Sequence, residues 1–114
     1  MTDRELLELA AKAVGLSLEQ GPGSPPEKCF GACWDGYTWD YWNPLDDDGD
    51  ALRLAVKLGL DVEMHGSNST HPYVCAFDCD RNIAEEAQPE DGDPYAATRR
   101  AIVRAAAEIG RAMK

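Results

Sequence analysis

Residues 93–113, Asp93-Pro94-Tyr95-Ala96-Ala97-Thr98-Arg99-Arg100-Ala101-Ile102-Val103-Arg104-Ala105-Ala106-Ala107-Glu108-Ile109-Gly110-Arg111-Ala112-Met113, organise the rest of the chain. Asp93 reads as an N-cap and Pro94 as the first helical residue, because proline lacks the amide proton that this position leaves unused. Ile102, Ala105, Ile109 and Met113 recur at helical spacing, so the longest helix of the chain is expected to run to about Met113. An element of that length must bury its apolar stripe against another layer.

Upstream of it, the 81–92 stretch reads as an acidic loop. Tyr73–Cys79 alternates like a strand, as does Leu60–His65, where Leu60, Val62 and Met64 interleave with Asp61, Glu63 and His65. The short polar loop between them predicts a hairpin. Acidic residues 46–50 precede Leu52, Ala55, Val56 and Gly59, which is the pattern of a second helix with its N-terminal charge and its glycine stop. Tyr37–Trp42 is a strand by composition, ended by Asn43-Pro44. Gly21–Pro26 is too rich in breakers to be anything but loop. Thr2 and Glu5 form a capping box for a first helix over residues 3–14, stopped by Gly15. The order α-β-α-β-β-α predicts one α+β domain over residues 1–114. Its expected architecture is a three-layer, α/β/α sandwich-like fold with a short, mostly antiparallel sheet.

Composition narrows the function classes. The 114 residues carry 11 Lys and Arg against 21 Asp and Glu, a net charge of −10, which repels long nucleic acid. Five of those bases (Arg99, Arg100, Arg104, Arg111 and Lys114) lie in residues 93–114 beside only two acids, so one basic helix stands on an acidic body. No apolar run reaches the ~18 residues of a membrane span, and the acidic start does not resemble a signal peptide. A soluble intracellular protein with reduced thiols is expected. Cys29-x3-Cys33 and Cys75-x3-Cys79 are poorly spaced for zinc, and a strand would hold Cys75 and Cys79 about 13 Å apart.

Several motifs fail on inspection. Asp46-x-Asp48-x-Asp50 resembles the opening of a calcium loop, but Ala51 and Lys57 stand where glycine and glutamate are required. No metal or cofactor is therefore expected, and capping explains the same acids. His65, His71 and Cys75 could serve a hydrolase, yet no serine elbow, HExxH or P-loop accompanies them. Two features remain. Six of nine aromatic residues fall between Phe30 and Trp42, more rings than one strand can bury on one face. Arg100, Arg104 and Arg111 fall on one flank of the last helix, either as an anion clamp or as partners for the acidic body.

Trp42-Asn43-Pro44-Leu45, Asp48-Gly49-Asp50-Ala51-Leu52-Arg53-Leu54 and the ending Ala96–Gly110 resemble small phage and prophage proteins of the phage ABA-sandwich domain family. The likeness is strong over residues 41–60 and 93–113. It implies an α/β/α layered fold and a phage accessory gene acting in the host cytoplasm, and it carries no catalytic residues across.

Such genes often encode counter-defence proteins. The leading expectation is a non-enzymatic binder that sequesters a small nucleotide-derived immune signal, acting as a homo-oligomer without membrane or long nucleic acid. Trp39 or Trp42 would stack on a base and Asn43 would read its edge, while Thr98, Arg99, Arg100 and Arg104 would meet phosphate. The alternatives are an acidic mimic or inhibitor that docks on a host defence protein, and an uncharacterised hydrolase.

Overall fold

The computed structural model describes residues 2–20, 30–33, 39–65, 72–89 and 93–113, with backbone only for 17–20, 30–33 and 39–41. Among the described residues, three helices and six strands follow the order α1 (Asp3–Val14), β1 (Ser17–Gln20), β2 (Phe30–Cys33), β3 (Trp39–Trp42), α2 (Asp48–Leu58), β4 (Asp61–His65), β5 (Tyr73–Asp78), β6 (Ile83–Ala87) and α3 (Pro94–Ala112). The class is α+β, and every strand pairing is antiparallel.

The helix ends form where the sequence signals them. The Thr2 hydroxyl accepts from the Glu5 amide, the Asp47 carboxylate from the Asp50 amide, and Asp93 from the amides of Tyr95 and Ala96. Gly15 and Gly59 close α1 and α2 in the left-handed region, at φ 75° and 67°, where a Cβ would be strained.

The strands depart from expectation in number. Instead of one sheet there are two three-stranded sheets, β1-β2-β3 and β4-β5-β6. The expected hairpin is β4–β5, and residues 83–87, read as acidic loop, add β6 to it. Ile83-Ala84-Glu85-Glu86-Ala87 has weak strand composition, so pairing with β5 must override its local preference. The same holds for Phe30-Gly31-Ala32-Cys33 in β2. The turn between β5 and β6 is held by Asp78, whose carboxylate accepts from the amides of Asp80 and Arg81 and pairs with the Arg81 guanidinium. Asn82 takes the left-handed conformation there, at φ 56°, which asparagine tolerates.

The core is organised around α3, which packs on β5 and β6 and also against α1 and α2. Its buried residues are mostly small: Ala97, Ala101, Ala105, Ala106, Ala107 and Gly110, with Ile102, Val103 and Ile109 between them. Small side chains let neighbouring backbones approach. At Gly110 the approach is so close that a Cβ would overlap the Leu9 carbonyl oxygen of α1 and lie 2.8 Å from its carbon. Polar ties mark both ends of this contact, Arg100 to Asp3 and the Lys12 ammonium to the Met113 carbonyl. They show that α1 and α3 run in the same direction. Trp42, at the end of β3, is also core, with 1% of its surface exposed.

Two outcomes test this packing. Gly110→Ala would gain up to ~1 kcal/mol of helix propensity in an open helix. Here it should instead lower stability in urea by about 2–3 kcal/mol, because the obstacle is backbone. The second concerns acid. Asp78 is held below its ordinary range, chiefly by the Arg81 side chain and then by the Arg81 and Asp80 amides, against an opposing effect of burial. A carboxylate depressed in the folded state contributes stability above its unfolded value and loses it as pH falls through the folded one. Thermal melts should show an acid limb extending below pH 3.8, and Asp78→Asn should flatten it.

Candidate functional site

Three periodicities converge on one groove. On α2, Asp48, Ala51, Leu52 and Ala55 line up at helical spacing, as Tyr95, Thr98, Arg99 and Ile102 do on α3. On β4 the alternation brings Val62 and Met64 to the same place. The three elements enclose about 500 Å³. The groove exists because α3 covers β5 and β6 and leaves β4 largely uncovered. Met64 is consequently 68% exposed, Tyr95 equally so, and Leu52 nearly as much.

Its polar groups are few and placed at one end. The Arg99 side chain is mostly buried, donating from Nε to the Leu45 carbonyl at 2.8 Å and from Nη1 to Asp48 at 2.6 Å. Asp48 itself is largely exposed, so the pair sits at the rim. The Thr98 hydroxyl donates to the Pro94 carbonyl one turn back along α3.

The residues singled out from sequence separate into groups. Thr98 and Arg99 meet in the groove. Arg100 turns to Asp3 on α1, Arg104 donates to the Glu86 carbonyl on β6, and Arg111 pairs with Glu108. Arg100, Arg104 and Arg111 do share one flank of α3, but each holds a different partner within the chain. Trp42 is enclosed in the core and offers no face to a ligand. Asn43 shapes the approach to α2: its amide donates to Asp50, its Oδ1 accepts from the Leu45 amide, and its Nδ2 donates to Asp46. Trp39 lies in β3, and its side chain falls outside the described residues, as do Cys29, His71 and the 66–71 loop.

The opposite face of the β4-β5-β6 sheet holds the other candidates. His65 stacks on Tyr73 with ring centroids 4.2 Å apart, and its Nε2 lies 3.3 Å from Glu63. The Cys75 thiol is pushed up by burial first, then by Glu86, Glu63 and Glu85. A raised thiol is a poor nucleophile, since the thiolate reacts. Among the described residues, no three His, Cys, Asp or Glu side chains converge as metal ligands.

Tyr95 and Met64 were missed as site residues. Tyr95 shares the helical spacing of Thr98, Arg99 and Ile102, which was a legible signal. Met64 gave none, because alternation marks it as core and only the placement of α3 exposes it.

Compared with family models, curated proteins and solved structures, the chain matches none of them.

The surroundings of Cys75 give a direct check on the thiol reading. Its alkylation by iodoacetamide at pH 7.5, followed by peptide mass spectrometry, should run slower than that of a free small thiol. Glu86→Gln should speed it up by removing a nearby negative charge.

Proposed function

We propose that this protein binds a small nucleotide-derived signal in the groove between α2, β4 and α3 and sequesters it without catalysis. The observation that carries this reading is the joining of an exposed ring (Tyr95), a hydroxyl (Thr98) and a guanidinium (Arg99) to apolar walls in a volume suited to a small ligand. A base would lie on Tyr95 against Met64 and Leu52, a contact worth about 1–3 kcal/mol per stacked ring. Phosphate would take the Arg99 guanidinium in place of Asp48, an exposed partner that is displaced at little cost.

Two further considerations support it. The residues read as resembling phage ABA-sandwich proteins, 41–60 and 93–113, include both helical walls of the groove; the chain matches no family model, so the counter-defence role in the host cytoplasm is part of the proposal. The acidic-mimic alternative has less behind it, because Asp46, Asp47, Asp48 and Asp50 each already hold a partner within the chain. The raised Cys75 thiol argues against that residue as a hydrolase nucleophile.

Calorimetry over cyclic dinucleotides and ADP-ribose derivatives tests the proposal. At least one should bind at micromolar or tighter affinity and be recovered unaltered by mass spectrometry after heat release. Tyr95→Ala should weaken it by about 5–150-fold, the equivalent of one lost stacked ring, and Arg99→Lys should weaken it while preserving the fold by circular dichroism. Failure of the whole panel to bind, or recovery of an altered product, would overturn the reading.

A further inference from the structure

The groove opens onto the edge of a sheet. β4 pairs with β5 through five consecutive residues, Asp61–His65 with Phe77–Tyr73, without a bulge, and among the described residues it has no strand on its other side. Edge strands are usually blunted by proline, lysine, bulges or a covering group. β4 has no proline, lysine or bulge. The far edge of the same sheet is treated differently: at β6, Arg104 reaches over from α3 to hold the Glu86 carbonyl. The apolar surface of α2 extends past the groove, since Val56, one turn on from Leu52, is 72% exposed.

We propose that a second copy of this chain covers this face, through antiparallel pairing of β4 with β4 about a two-fold axis at Met64. Over residues 63–65 the sequence of the strand is self-complementary in that register. Met64 stands opposite Met64 of the partner subunit on the groove side, which extends the apolar surface across the axis. On the other side, Glu63 stands opposite His65 of the partner subunit, and His65 opposite the partner's Glu63. Directly opposed residues in an antiparallel pair lie about 4.5–5.5 Å apart, within reach of these side chains. His65 Nε2 lies 3.3 Å from its own Glu63, and the same ring N–H can be given instead to the partner's Glu63. No like charges are directly opposed among Glu63, Met64 and His65. At physiological salt the Debye length of about 8 Å screens much of the repulsion between two bodies of charge −10. The β4-β5-β6 sheets of the two chains would become one of six strands, and the open side of each groove would gain a methionine from the other chain.

The association does not depend on any ligand, so it is tested on the full chain alone. Sedimentation equilibrium at about 100 µM chain, a concentration high enough to populate even a modest dimer, should give twice the 12.5 kDa chain mass. Met64→Lys alters a side chain already exposed and should give a folded monomer. Glu63→Lys should weaken the dimer by removing the acceptor that faces the partner's His65, and adding His65→Glu should restore it, because the double change again sets an acid opposite a base. Under mild oxidation Met64→Cys should form an intermolecular disulfide that peptide mass spectrometry maps to residue 64 on both chains, whereas Val56→Cys, exposed but away from the axis, should not link through residue 56; the exposed native Cys79 is replaced by serine in both. A monomeric wild type, a failure of the Met64→Cys link, or equal linking at Val56→Cys would overturn the proposal. None of these outcomes bears on whether a nucleotide binds.

Discussion

The close approach of α1 to α3 at Gly110 is the contact on which the other layers rest. Because the Leu9 carbonyl occupies the space a side chain would take, α1 and α3 meet backbone to backbone. Small residues elsewhere on α3 let it serve three neighbours at once: α1, α2 and the β5–β6 part of the sheet. A helix with large side chains on every buried face would hold those neighbours further apart and leave voids that few residues remain to fill. The alanines of α3 are therefore a packing solution, and the larger Ile102, Val103 and Ile109 fill what remains.

That arrangement also explains where a site can exist. A single helix laid on a three-stranded sheet covers two strands well and the third poorly. Here the third is β4, and the uncovered strip is walled on its far side by α2. The Arg99 side chain fastens the start of α2 to α3 through Asp48 and the Leu45 carbonyl. The same guanidinium thus sets the width of the groove and supplies its one cationic group. Apolar walls, one ring and a polar end are what remain when three amphipathic elements meet with their stripes imperfectly closed.

The charge pattern reads differently once partners are visible. The basic residues of the last helix suit either a clamp for an external anion or pairing with the acidic body, and in the fold Arg99, Arg100 and Arg104 reach to α2, α1 and β6. Successive helical residues are turned by about 100°, so adjacent arginines rarely share a target. They act as three separate ties between the central helix and its surroundings. Of the aromatic cluster, Trp42 is drawn into the core as one of its largest buried side chains.

Local signals determined all three helices of this protein. Thr2, Asp47 and Asp93 cap their starts and Gly15 and Gly59 stop two of them, because caps and left-handed glycines act through bonds a few residues long. The β4–β5 hairpin and the strand ending at Trp42 were legible for the same reason, through alternation and composition. Strands β1, β2 and β6 were not, since Gly31, Ala84, Glu85 and Glu86 have little strand preference and take the conformation only because a neighbour offers hydrogen bonds. Of the candidate site, Thr98 and Arg99 could be read from the helical pattern. The exclusion of Trp42, Arg100 and Arg104, and the exposure of Met64, belong to tertiary structure alone. An apolar residue on a strand's inner face is buried only if another layer reaches it, and the layer that reaches β5 and β6 stops short of β4.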